Sequence, residues 1–517
     1  MKRTQGMSNF RSILFSMMFI IIVTPVCRGQ VINENSKLLA NDGTTGDEFG
    51  YSVAIDNGVV AVGAKWDGDN GDFSGSAYLF DAMSGVEIAK LVPSDGESFD
   101  FFGNSIAINN GIVAIGAIGD GDNGKNSGSA YLFDASTGAE IAKLLPSDGA
   151  SNEEFGWSIA ISDGVVAVGA IKGGDQGSRS GSAYLFDALT GVQISKLLPS
   201  DGISSDEFGH SISIGGGIVA IGAPDHNDDG SGSGSVYLFD AMSGAQISEL
   251  LPNDGGSGDR FGWSVAIDNG TVAVGSIFGG IPFSGSAYLF EASTGDQIAQ
   301  LLPRNVGRDD LFGESIAINS GTVVVGASID YINGPSSGLA YVFDASTGSP
   351  MAVLVPSDGA KNDEFGRSIA IDKGVVAVGV SNDDDNGTDS GSVYVFDANI
   401  PVSCLDLTVE NLIAGQRAVF TIRGGTVGRR AVTVWGSVAG QTIVNEVLGY
   451  CATFWINGVN RSKVLGGHNQ VFDVNGAITF SQDIPVHYAG FTVYFQSAER
   501  GTCPDECISN LRQMVIQ

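Results

Sequence analysis

Basic residues, histidine and cysteine are all scarce in this chain. Lys and Arg number 26 against 58 Asp and Glu in 517 residues, a formal charge of −32. Phosphate backbones and anionic lipid surfaces need Lys and Arg, so this balance argues against nucleic acid and acidic membranes and favours cationic partners. The four histidines are His210, His226, His468 and His487. No H-E-x-x-H, no G-x-S-x-G and no strand-to-helix phosphate loop accompanies them, so the common motifs of zinc proteases, serine hydrolases and phosphoryl transfer are missing. No Arg-Gly-Asp string occurs, and beyond residue 30 no apolar run reaches membrane-spanning length. Cysteine is missing from everything between Cys27 and Cys404, so the bulk of the chain must be stabilised by burial rather than by disulfides.

What is abundant is glycine, 75 residues, arranged with a period. Phe-Gly recurs at Phe49, Phe102, Phe155, Phe208, Phe261, Phe312 and Phe365. Each copy continues like the second: F-G-N-S-I-A-I-N-N-G-I-V-A-I-G-A, an acidic glycine-rich loop, S-G-S-A-Y-L-F-D, a short turn, and E-I-A-K-L-L-P-S-D-G. Such self-similarity marks a repeat architecture. Each unit holds four strand-length apolar runs, in the first copy Tyr51–Ile55, Val59–Ala64, Ser76–Phe80 and Glu87–Val92, bounded by Gly, Asn, Asp or Pro. Asp56-Asn57-Gly58 and its counterparts supply the positive φ of a two-residue hairpin. Runs such as Val59–Val62 are apolar on both faces, which suits a sheet stacked between two others, as in a propeller blade.

The seventh repeat ends after its third strand, Gly391–Asp397, with no fourth. A matching fourth strand, Lys37-Leu38-Leu39-Ala40-Asn41-Asp42-Gly43, stands ahead of the first repeat. The expected fold is therefore all-β: a seven-bladed β-propeller of four-stranded antiparallel blades, closed by an N-terminal strand that removes two exposed edges. The F-G…G-A spacing followed by S-G-S-A-Y-L-F-D resembles the FG-GAP repeat, the blade unit of the integrin α-chain head and of many bacterial surface proteins. The resemblance covers roughly residues 36 to 398 and implies extracellular binding or adhesion through one face of the disc. Integrin-type blades carry a D-x-D-x-D-G-x-x-D calcium loop between the first and second strands. Here that connection is a tight Asn-Gly type turn, so the integrin calcium ligands have no counterparts.

Acidic residues gather instead between the second and third strands. Asp67 and Asp69, Asp120 and Asp122, and Asp383 and Asp385 form D-x-D pairs in repeats one, two and seven, which are consecutive around a closed ring. Repeats three and four keep only Asp175 and Asp228, repeat six keeps Asp330, and repeat five has neither. Two carboxylates and an amide oxygen on a glycine turn are ligand chemistry for a hard cation such as Ca²⁺. The same residues are equally at home as solvated turn formers. The loops leading from blade to blade are acidic as well, at Asp95-Gly96-Glu97, Glu153-Glu154, Asp206-Glu207, Asp309-Asp310 and Asp363-Glu364. Both loop sets leave the same face, which should be strongly negative. On that face the position after each Phe-Gly varies as Tyr51, Asn104, Trp157, His210, Trp263, Glu314 and Arg367. Either tuning of a binding face or drift at an exposed position would produce such variation.

Residues 1–29 read as a secretory signal, with Lys2, Arg3 and Arg11 before an apolar stretch from Ile13 to Val23 and small residues at the cleavage point. A lipidated Cys27 is the alternative. Without the leader the charge becomes −36, since Lys2, Arg3, Arg11 and Arg28 are lost. Residues 30–400 form the propeller. Residues 401–517 form a second domain, with alternating segments that suggest a β-sandwich of about seven strands. Its Cys404, Cys451, Cys503 and Cys507 suit two disulfides of undetermined connectivity, with zinc as the alternative.

These readings converge on a secreted or cell-surface, non-enzymatic module, expected to be a monomer without a transmembrane span after signal cleavage. Its expected ligand is an extracellular protein or polysaccharide, with Ca²⁺ as a possible aid. A structural envelope or matrix component is the rival. A propeller enzyme is the third reading, and the near-identity of the repeats speaks against it, because a catalytic pocket breaks symmetry.

Overall fold

The computed structural model describes residues 30–280, 284–302, 310–330 and 335–398, together with the backbone of strands between 406 and 515. Every regular element among the described residues is a strand, and no helix is long and apolar enough to cross a membrane. Gly29–Ile400 forms one compact unit and the strands beyond Pro401 another. Residues 1–29, with Cys27, and Cys404, Cys451, Cys503 and Cys507 lie outside the described residues.

The first unit is a seven-bladed propeller whose blades are antiparallel meanders. In the first blade the strands are Ser52–Asp56, Val59–Ala64, Ser76–Asp81 and Glu87–Leu91. The hairpin reading holds for all seven first turns, with Asn57 at φ 48° and Gly58 at 81° in the first and Lys373 at 49° and Gly374 at 80° in the last. First strands of adjacent blades touch one another right round the ring and are half-buried in alternation. The middle strands carry the core: Val60, Ala61, Val62, Ala77 and Leu79 are fully buried, because each sheet is covered on both faces. The fourth strand is outermost and exposes one side chain of its alternation, such as Ile88, while burying Leu91.

The ring shuts as the repeat count requires. Ser36–Leu38 pairs antiparallel with Ser392–Asp397, with Lys37 opposite Tyr394 and Leu38 opposite Val393. One strand went unforeseen: Gln30–Ile32 runs parallel to Pro350–Leu354 and gives the sixth blade a fifth strand. It puts Ile32 against the core between the sixth and seventh blades.

Each Phe of the Phe-Gly pairs is a wedge between neighbouring sheets. Phe102 packs with Ala61, Leu79 and Leu91 of one blade, and edge-on against Tyr131 and Phe133 of its own, at ring-centroid distances of 5.6 and 5.8 Å. Burying such a ring is worth about 3 kcal/mol by area, and its edge-to-face contacts add roughly 1 kcal/mol. The following glycine is required by space. Gly103 has φ 90°, and a Cβ there would lie 2.6 Å from the Ser76 carbonyl oxygen. Its own carbonyl accepts a hydrogen bond from the Ser52 hydroxyl of the preceding blade at 2.8 Å. The same bond recurs at every junction, ending with Ser368 to Gly50 at 2.7 Å, so it too closes the circle.

Among the described strands of residues 401–517, three small antiparallel sheets form. Arg417–Arg423 lies between Asp406–Glu410 and Ala477–Asp483, and Arg430–Ser437 between Lys463–Val471 and Ala498–Glu499. Thr492–Phe495 lies between Trp455–Asn457 and Arg512–Val515.

Candidate functional site

The start of each first strand, the loop between the second and third strands and the blade-to-blade loop all emerge on one face, as the meander dictates. The D-x-D pairs do lie together there, but each pair already surrounds a cation from the protein itself. Lys143, on the fourth strand of the second blade, places its Nζ 2.8 Å from Asp95, 2.8 Å from Asp120 and 2.7 Å from Asp122. Lys90 does the same with Asp42, Asp67 and Asp69 at 2.8, 3.0 and 2.5 Å. Lys37, on the closing strand, joins Asp358, Asp383 and Asp385 at 3.0, 2.8 and 2.6 Å. In the third blade Lys196 meets Asp148 and Asp175 at 2.7 and 2.5 Å.

The first Asp of each pair is nearly buried and the second is about half exposed, as with Asp120 and Asp122. Asp120 also accepts the Tyr131 hydroxyl at 2.7 Å and the backbone N–H of Asp122 at 3.0 Å. Asn123 turns its amide away to donate to the Pro146 carbonyl. Burial works against the lysine charge, yet hydrogen bonds to the carboxylates outweigh it and hold the Lys37, Lys90 and Lys143 ammonium groups protonated well above their ordinary range. For Asp42, Asp95 and Asp358 burial favours protonation, but bonds from lysine and tyrosine prevail and hold these carboxyls below theirs.

The acidic blade-to-blade loops are also spent internally. Asp206 accepts the Ile203 N–H at 2.6 Å and Asp100 accepts that of Glu97 at 2.7 Å, each fixing its own loop. Burial pushes Asp100 up to about 6. Each lysine offsets only one of the two or three carboxylates around it, so the face keeps a net negative charge that is partly tied up within the ring.

Blades three to five break the symmetry. A cavity of about 520 Å³ opens between them, with Trp157, His210 and Trp263 along it. These are positions following Phe-Gly, and they touch in sequence around the ring: the His210 ring centroid lies 6.0 Å from that of Trp157 and 4.4 Å from that of Trp263. His210 Nδ1 is 3.1 Å from the Trp263 carbonyl oxygen. Burial between the indoles lowers its pKa to about 4, so the ring is neutral at ordinary pH. Charged pairs complete the wall: Lys172 with Glu154 at 2.5 Å, Arg179 with Glu207, and Arg260 with Asp225 at 3.2 Å. The Arg260 guanidinium also lies 5.5 Å from the centre of the Trp263 ring. A second aromatic group that the sequence reading missed lies on the same face, where Trp66, Phe73, Phe99 and Phe101 pack in tilted and edge-to-face contacts and Phe99 is half exposed.

A closed ring of seven antiparallel blades defines a β-propeller. The model of the FG-GAP repeat matches at residues 32–80, 86–133, 139–186, 192–239, 245–290, 296–343 and 349–396, well over half of the chain, and the protein belongs to the FG-GAP repeat family. No curated protein matches it.

Proposed function

We propose that the propeller is a non-enzymatic extracellular binding or adhesion module whose ligand, a segment of a protein or polysaccharide, enters the cavity between blades three and five. The observation that carries this reading is the cavity itself. Two indoles and an imidazole tilted between them supply apolar surface there, and Lys172, Arg179 and Arg260 stand with their carboxylates at its wall. Aromatic faces combined with convergent charged groups are what ligand sites use for contact area and orientation. Blades one, two and seven instead gather their loop carboxylates around Lys90, Lys143 and Lys37.

A secreted or surface-held location accords with the family and with the leader read from the sequence. A calcium contribution at Asp67 and Asp69, Asp120 and Asp122, or Asp383 and Asp385 requires Ca²⁺ to compete with the lysine already among them. Melting temperature in excess Ca²⁺ and in chelator measures that competition. The binding reading is tested by titrating the full-length protein with a panel of matrix proteins and polysaccharides and following indole fluorescence. A saturable change lost in the W157A/W263A variant supports it. Absence of any saturable partner across the panel favours the structural-component reading.

A further inference from the structure

In the fourth blade the cation of the lysine clusters is missing and its neighbours are exchanged. The residue opposite the core tyrosine is Lys143 facing Tyr131 in blade two and Glu249 facing Tyr237 in blade four. The place of Asp120 is taken by His226, while Asp201 and Asp228 correspond to Asp95 and Asp122. The result is one imidazole and three carboxylates whose potential ligand atoms all lie within 4.8 Å of one another. We infer that Asp201, His226, Asp228 and Glu249 form a site for a divalent transition-metal cation of the Zn²⁺ or Mn²⁺ kind, which replaces the built-in ammonium of the sister blades.

Two observations carry the inference independently of the acidic character of the cluster. The first is the internal comparison: four blades hold an ammonium at this place, and blade four has a carboxylate there in its stead. The second is His226. It is 3% exposed, and neither ring nitrogen completes an aligned hydrogen bond. Its Nδ1 lies 3.0 Å from Oδ2 of fully buried Asp206, which fixes the ring and leaves Nε2 directed at the cluster, 3.2 Å from Oδ1 of Asp228. A carboxylate behind the imidazole, with the second nitrogen turned toward a group of oxygen donors, is the usual support of a metal-bound histidine. Oε1 of Glu249 is likewise enclosed without a hydrogen bond.

The donor set names the class of ion. Imidazole with carboxylates suits Zn²⁺ or Mn²⁺ better than Ca²⁺, which prefers six to eight oxygens. Tetrahedral Zn²⁺ sets its ligand atoms about 3.3 Å apart, so a modest contraction of the cluster accommodates it. This site lies beside the loop between the second and third strands, away from the first hairpin where integrin-type blades hold calcium. It does not depend on what occupies the neighbouring cavity.

The test uses full-length protein stripped with chelator, then titrated calorimetrically with Zn²⁺, Mn²⁺ or Ca²⁺ and followed by thermal unfolding. The H226D/E249K variant rebuilds the blade-two arrangement and is expected to fold without metal. Wild type should bind one more equivalent of Zn²⁺ or Mn²⁺ than this variant, with a saturable rise in melting temperature that the variant lacks. The H226A substitution should weaken that site at least tenfold. Equal stoichiometry in wild type and H226D/E249K, no metal-dependent melting shift in wild type, or binding of Ca²⁺ alone that survives H226A would each overturn the assignment.

Discussion

Blades two and four share a backbone plan, hairpin by hairpin, and differ in how each meets its inner carboxylates. Blade two answers Asp95, Asp120 and Asp122 with Lys143, whereas blade four sets Glu249 and His226 among Asp201 and Asp228. The shared part is packing: Phe102 and Phe208 are equally buried, and the serine-to-glycine bonds are the same. The comparison teaches that wedges and close glycine contacts fix the fold, leaving the loop-and-strand clusters free to change chemistry from blade to blade.

The largest effect tests the shared part. F102A and F208A should each cost about 4 kcal/mol, measured by denaturant unfolding, because each empties a wedge between two sheets. A difference of more than about 2 kcal/mol between them would mean that the blades do not share one packing rule. Next comes the charge core. K143A leaves three carboxylates around an empty centre and should cost about 2 kcal/mol, a buried-pair loss reduced because two of the carboxylates are half exposed. In blade four, E249K should act in the opposite sense and stabilise metal-free protein by about 1 kcal/mol, measured by denaturant unfolding.

The smallest effect is pH dependence. Asp42, Asp95 and Asp358 are held below the ordinary carboxylate range in the folded state. Their contribution is therefore complete above about pH 4 and is lost as pH falls further. Asp100 works the other way: its pKa is raised to about 6, so its contribution is present at low pH and lost as pH rises from about 4 through 6. Melting temperature should thus fall below pH 4 in wild type, and fall less steeply in K143A, where Asp95 has lost its lysine. An identical acid limb in both would remove the lysine clusters as its cause.

The propeller was legible because its information is repeated. Seven copies fixed the strands, and the missing last strand fixed the closure through Lys37–Ala40. The parallel strand Gln30–Ile32 was not legible, since three residues without a counterpart in any repeat carry no period. The lysine clusters were within reach but unread. Asp120 and Lys143 are 23 residues apart and meet only because Tyr131 on the strand between them brings the loop and the fourth strand to one side. The signal was the exchange at one fixed position, Lys90, Lys143, Lys196, Glu249, Gln300, Val353 and Lys37, which tracks the carboxylates of the loop. His226 stood in the aligned loop as an apparent lost aspartate, and only the fold showed what faced it.

The strand that seals the ring is made before every blade but pairs with the last of them. Leu38 has to await Val393, which leaves the ribosome some 350 residues later, a span set by their pairing register. Until Ser392–Asp397 exists, the seventh blade has no strand for Ser36–Leu38 to join. Moving the chain ends to a loop between blades would let that final blade assemble from neighbouring sequence, and such a rearranged chain should close faster than the natural one while reaching the same disc.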